Sequence, residues 1–111
     1  MDMIDWSHFE KIEIRVGTIV HAEIFPKAKK KAYKLLVDFG EFGFKKSSAQ
    51  ITDLYAPTDL IGKQVIGVIN LPSKQIGSFF SECLITGFYN IDNHVVLAVP
   101  DKLVQNGARL L

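Results

Sequence analysis

The apolar residues of positions 12–24 fall two apart. Ile12, Ile14, Val16, Val20, Ala22 and Ile24 share the even positions with one polar residue, Thr18, while Glu13, Arg15, His21 and Glu23 take odd ones. A period of two predicts a long, half-buried strand. Gly17, in its middle, predicts a bulge or sharp bend of the kind that lets one strand serve two sides of a small barrel. Pro26 cannot donate to a ladder and ends the strand. Tyr33, Leu35, Val37 and Phe39 then alternate with Lys34 and Asp38, predicting a second strand. Gly40 to Gly43 reads as a turn, and Phe42 and Phe44 open a third strand reaching about Gln50, so the two strands form a hairpin. Residues 51–62, punctuated by Pro57 and Gly62, fit one or two helical turns. Gln64 to Leu71 reads as a central strand, Pro72 to Phe80 as a loop, and Cys83 to Tyr89 and His94 to Val99 as two further strands joined by Ile91-Asp92-Asn93. Asp5 is placed to cap a short helix carrying Trp6 and Phe9. Five or six strands with little helix predict an all-β fold, a small antiparallel barrel whose closure removes exposed edges.

The chain has 111 residues, 48% of them hydrophobic and 23% charged. That predicts a single domain, residues 1–111, able to bury roughly 65% of its unfolded surface. The lone cysteine excludes an internal disulfide framework and favours a reducing compartment. The N-terminus carries Asp2 and Asp5 without a basic or apolar leader pattern, and no apolar run reaches membrane-spanning length, so a cytoplasmic location is expected.

Charge changes the picture more than composition does. Residues 27–46 hold seven lysines and two acids, a local balance of +5, whereas the rest of the chain holds six basic and ten acidic residues. The overall +1 is therefore a cancellation. A basic middle segment attracts phosphates without reading sequence, although lysine-rich loops are also ordinary solvated surface.

Catalytic chemistry finds little footing. His8, His21 and His94 stand at no ligand spacing, no H-E-x-x-H, C-x-x-C or G-x-S-x-G is present, and Cys83 reads as a small buried hydrophobe. No enzyme, metal or cofactor is expected. Two binding surfaces remain. Lys29, Lys30 and Lys31, before the second strand, converge in a barrel with Lys45 and Lys46 across the hairpin. In the 72–80 segment, Phe79 and Phe80 cannot both face a core, because successive strand side chains alternate. One of them is expected to be exposed, or buried by a partner; exposed, it suits an apolar peptide or a nucleobase, whereas a dimer contact or packing of the loop under the barrel is the plainer alternative. Trp6, Phe9, Leu110 and Leu111 are candidates for a dimer interface on so small a core.

Several strings go beyond pattern. Phe9 to Ile19, with its Glu13-Ile14-Arg15-Val16-Gly17 centre, resembles the opening of the tRNA-binding domain found at the C-terminus of some methionyl-tRNA synthetases. Val37-Asp38-Phe39-Gly40, Leu60-Ile61-Gly62-Lys63, Asn70-Leu71-Pro72 and Ser81-Glu82-Cys83-Leu84 follow at the expected intervals. Within that superfamily Ala32-Tyr33-Lys34-Leu35, Lys46 to Thr52 and Phe79-Phe80-Ser81-Glu82 are similar to the CsaA family of stand-alone protein-export chaperones. The resemblance implies an OB-fold, a five-stranded antiparallel barrel with short flanking helices, assembled as a homodimer without catalysis. It implies unfolded or precursor polypeptides as partners, with Ile76, Phe79, Phe80 and Asn70 at their site. The alternative is tRNA, held by Lys29, Lys30, Lys31, Lys45, Lys46 and Lys74. A third reading is a bare dimeric module within a larger assembly. CsaA-like chains often carry two basic residues after Asn-Leu-Pro, where this chain has Lys74 and Gln75. Its Lys29 to Lys31 run is in turn more basic than is usual in the family.

Overall fold

The structure is a computed structural model describing residues 1–111. Strand β1 (Ile14–Ile24) organises it by pairing with a different neighbour at each end. Residues Ile14 to Thr18 run antiparallel to β4 (Gln64–Val68), and Thr18 to Ile24 run antiparallel to β2 (Tyr33–Asp38). With β3 (Phe44–Ala49) and the short β7 (Leu84–Ile85), the sheet order is β3-β2-β1-β4-β7. The sheet curls until β3 meets the chain entering β7. There the Glu82 N–H donates to the Lys46 carbonyl at 2.7 Å, the Lys46 N–H to the Glu82 carboxylate at 2.9 Å, and the Ser47 hydroxyl to the Cys83 carbonyl at 3.0 Å. This nearly closed five-stranded barrel is an OB-fold.

The register of β1 departs from the expected pattern. Its bulge lies at Val20, between Ile19 and His21, and not at Gly17. One inserted residue exchanges the two faces of a strand. Gly17 and Ile19 therefore point into the barrel before the bulge and Ala22 after it, while Val20 is left 39% exposed. The even-numbered Ile14 and Val16 lie on the face turned away from the barrel interior. The C-terminal segment lies along them, the Val16 N–H donating to the Ala108 carbonyl and the Leu110 N–H to the Ile14 carbonyl, each at 3.0 Å. Gly17 serves close packing instead of bending. A Cβ there would sit 2.7 Å from both the Phe39 and Val37 side chains, and one at Gly67 would sit 2.9 Å from Phe39. The Phe39 ring, fully buried, thus fills the barrel between two glycines of adjacent strands.

The β2–β3 hairpin follows the sequence reading, and the inward residues Tyr33, Leu35 and Val37 are all buried. Helix α1 (Trp6–Glu10) forms after Asp5, but the Asp5 side chain makes no capping hydrogen bond. Helix α2 (Pro57–Leu60) supplies the fully buried Leu60 to the core. Three expectations change. Strand β4 stops at Val68, short of Leu71. The segment expected as one strand from Cys83 to Tyr89 breaks at Thr86, whose N–H and hydroxyl both donate to the Ile66 carbonyl; β8 (Gly87–Tyr89) then pairs with β9 (Val95–Leu97). The 72–80 loop contains a hairpin, β5 (Lys74–Ile76) with β6 (Phe79–Ser81). Its two-residue turn begins at Gly77 with φ +62°, a conformation suited to glycine.

Candidate functional site

In an OB-fold the exposed face of the second and third strands, with the loops joining strands one to two and four to five, forms the usual binding surface. Here those loops are residues 25–32, which carry the lysine run, and residues 69–83, which carry the β5–β6 hairpin. Alternation along the strands decides what faces outward. Lys34 pairs with Ser48 and Leu36 with Lys46, so these four share the outer face, whereas Lys45 pairs with the buried Val37 and points to the opposite side. Lys45 and Lys46 are therefore not one patch.

The outer face is aromatic as well as basic. Phe25 leaves the end of β1 and meets Phe79 of β6 edge to face, ring centroids 5.3 Å apart. The Lys34 ammonium lies 4.8 Å from the Phe25 centroid and 5.4 Å from that of Phe79, and the Lys46 ammonium lies 5.5 Å from Phe79. Such placement is attractive because the ring face carries negative charge density. Phe25 and Lys34 join this cluster although the sequence pattern does not mark them: Phe25 falls just past the alternating run, before Pro26, and Lys34 is one polar position of a half-buried strand.

Next to this cluster, Lys74, Ile76, Ser81 and Leu84 line a cleft of about 290 Å³ between the hairpin and the end of β3. Cys83 lies at its floor, where burial pushes the thiol up to about 11, so it is protonated at neutral pH. Phe80 faces away from the barrel and is 45% exposed. Lys29 and Lys31 line a separate cleft of about 480 Å³ with Ile24, Ala28 and Asp53. Lys30 is exposed on the same loop.

Asn70 has both ends of its side-chain amide engaged. Its Oδ1 accepts the Glu13 N–H at 2.9 Å, and its Nδ2 donates to the Lys11 carbonyl at 2.7 Å. It ties the start of the 69–83 loop to the entry of β1. Asn70→Ala is expected to lower stability by about 1–2 kcal/mol, measured by urea denaturation. An unchanged midpoint would show that these bonds hold nothing in place. Glu13 is itself anchored: Arg15 donates to its carboxylate from Nη2 at 2.7 Å and from Nε at 3.2 Å, which holds the Glu13 carboxyl below its ordinary pKa. Arg15 also donates to the Gly107 carbonyl at 3.1 Å, and its guanidinium lies 4.5 Å from the Phe42 ring centroid, fastening the C-terminal segment.

The four residues expected at a dimer interface come together. Trp6, Phe9, Leu110 and Leu111 line one cleft of about 560 Å³, with Trp6 82% exposed. Through Leu110 it continues into a second, more apolar cleft of about 550 Å³ bounded by Ile14, Val68, Phe88 and Val99. His21 and Glu23 approach at 3.7 Å on the surface. No three His, Cys, Asp or Glu side chains gather as a metal-binding group, and no helix is long and apolar enough to cross a membrane.

The sequence family described as "Putative tRNA binding domain" matches residues 14–109, nearly the whole barrel. The chain belongs to this tRNA-binding domain family. Solved structures of similar shape include the chaperone CsaA from Bacillus anthracis, 42% identical, with a TM-score of 0.93 over 99% of this chain and 100% of that one. The CsaA chaperone from Picrophilus torridus is 44% identical, with a TM-score of 0.92 over 98% and 100%. A methionyl-tRNA-synthetase-related protein from Pyrococcus horikoshii is 32% identical, with a TM-score of 0.87 over the full length of both chains. The methionine–tRNA ligase of Methanocaldococcus jannaschii is 37% identical over 99% of this chain, but the chain spans only 17% of that enzyme.

Proposed function

We propose that this chain is a non-catalytic, cytoplasmic, homodimeric chaperone of the CsaA type that holds unfolded or precursor polypeptides for export. The observation carrying this reading is the juxtaposition of Ile76 and Phe79 on the barrel-facing side of the β5–β6 hairpin, with a cleft beside Ile76 wide enough for a side chain. End-to-end similarity to two CsaA chaperones supports it. Phe80, on the outward side of the hairpin, extends the apolar surface, and Asn70 positions the loop that bears it. Burying one aromatic side chain of a client contributes about 2 kcal/mol, so holding is weak, multi-point and tolerant of sequence. Phe79→Ser combined with Phe80→Ser is expected to abolish suppression of client aggregation, measured by light scattering, while the circular dichroism spectrum stays that of the wild type. Full suppression by the folded variant would remove the hairpin from the site.

The apolar face at Trp6, Phe9, Leu110 and Leu111 is the proposed subunit interface. Trp6→Ser with Leu110→Ser is expected to convert a dimer to a monomer in sedimentation velocity. A wild-type protein that sediments as a monomer at high concentration overturns the interface.

A second reading, tRNA binding, is favoured by the two ammonium groups poised at a pair of edge-to-face rings. Aromatic faces and nearby cations together suit unpaired bases and their phosphates. Lys34 and Lys46 are the proposed central contacts, with Lys29, Lys30, Lys31 and Lys74 at the rim. Lys45, on the inner side of β3, is expected to contribute least.

A further inference from the structure

We propose that polypeptide and tRNA exclude one another on this protein because both are held at the Phe79 ring. The inference rests on the functional reading above, that each ligand class uses the face between the 25–32 loop and the β5–β6 hairpin. What it adds is that the two sites are one, so that RNA displaces a held polypeptide.

Strand geometry carries the argument. Directly opposed residues of a hairpin share a face, and positions two apart along a strand share it too. The pairs Lys74 with Ser81 and Ile76 with Phe79 therefore form one row turned toward the barrel, and Gln75 with Phe80 the row turned away. The inward row joins the two chemistries without a gap. Ile76 lines the cleft that suits an apolar side chain. Phe79, its direct cross-strand neighbour, carries the Lys34 and Lys46 ammonium groups at 5.4 and 5.5 Å from its centroid. A phosphate bound between those ammonium groups, or a base stacked by the ring, occupies the space above Phe79. Phe79 does not itself line that cleft, but it is the direct cross-strand partner of Ile76, so an apolar segment longer than the one side chain seated in the cleft continues across the same ring. Phe25 packs edge to face against Phe79 with centroids 5.3 Å apart, so part of the ring's surroundings is already taken up and the space left over it is limited.

The two ligands differ in what binds them, and this sets the control. The RNA side is electrostatic and weakens with salt. The polypeptide side is mainly apolar burial and is much less sensitive to it. RNA is thus a displacer whose strength follows ionic conditions, and polypeptide holding in the presence of RNA recovers as salt rises.

The test uses the full-length wild-type chain at low salt, a reduced and carboxymethylated unfolded polypeptide as one probe, and bulk deacylated tRNA as the other. Each affinity is measured alone by fluorescence anisotropy, and a mixture of the probes without the protein controls for their direct association. Polypeptide is then titrated in the presence of tRNA at nine times the tRNA dissociation constant. Competition for one ring is expected to raise the apparent polypeptide dissociation constant about tenfold. The variant K34Q/K46Q is expected to bind tRNA more weakly and, with its own polypeptide affinity measured alone as the reference, to be displaced far less by the same tRNA concentration. An unchanged polypeptide affinity, with a ternary complex in sedimentation, overturns the shared site while leaving the functional reading intact. Failure of either probe to bind alone overturns the functional reading itself, and the inference with it.

Discussion

Raising the salt concentration from 50 to 200 mM is expected to weaken tRNA binding by roughly two orders of magnitude. With about five lysines of the 25–32 loop, β2, β3 and the hairpin neutralising phosphates, log affinity falls against log salt with a slope of roughly −3.5 to −4.5. Fourfold more salt then lowers affinity more than a hundredfold. The slope also separates residues. Lys46 lies on the outer face opposite Leu36, and Lys45 lies opposite buried Val37. Lys46→Ala is expected to reduce the slope by about one, and Lys45→Ala to leave it nearly unchanged. Filter binding across a salt series reads both. A flat salt dependence removes the lysines from the RNA surface. Equal effects of Lys45 and Lys46 reject the facial assignment.

That distinction shows where the sequence was readable and where it was not. Tyr33, Leu35 and Val37 alternate cleanly because β2 has a barrel interior on one side and an open face on the other. The same alternation assigns Lys45 and Lys46 to opposite faces, although their adjacency suggests a pair. In β1 the pattern misleads for a physical reason. Ile14 and Val16 lie on the face turned away from the interior, where Ile14 lines an apolar cleft with Val68, Phe88, Val99 and Leu110, and the C-terminal segment pairs along the strand edge, more than ninety residues away in sequence for Val16 and Ala108. Period alone cannot distinguish such an apolar outer face from the barrel core. The bulge at Val20 then exchanges the faces without a glycine or proline to mark it.

The site was legible to a similar degree. The lysine loop and the Phe79-Phe80 pair could be found from charge and from the rule of alternation. The β5–β6 hairpin had a signal in Gly77-Ser78 between Ile76 and Phe79, masked by the turn-like Pro72-Ser73 just before it. Phe25 had no comparable signal. Its role depends on Phe79 crossing from a loop more than fifty residues away, a contact that only the closed barrel brings about. Resemblance to the tRNA-binding domain pointed to both loops together, because it carries the barrel's closure with it.

Phe39→Ala is expected to lower the folding free energy by about 3–5 kcal/mol, which is a large part of the roughly 5–15 kcal/mol available to a domain of this kind. The ring is fully buried, and the two neighbouring strands meet it with glycines, which carry no side chain to fill the space. Guanidinium denaturation followed by tryptophan fluorescence and by far-ultraviolet circular dichroism measures the loss. The two signals also test whether α1, which carries Trp6, unfolds with the barrel. Gly17→Ala provides the converse test. Its new methyl group would meet Phe39 and Val37 at 2.7 Å, and overpacking of this kind costs about 1–3 kcal/mol. The two sites share one packing volume, so they are coupled. In a Phe39→Leu background, whose smaller side chain leaves room beside β1, Gly17→Ala is expected to cost markedly less than in the wild type. Additive costs in that double-mutant cycle would mean that Gly17 is selected for backbone freedom and not for the space it leaves. A Phe39→Ala loss below about 1 kcal/mol would mean that the barrel collapses around the missing ring. In either case the β1–β4 glycine pair would cease to be the reason that this barrel admits an aromatic residue at its centre.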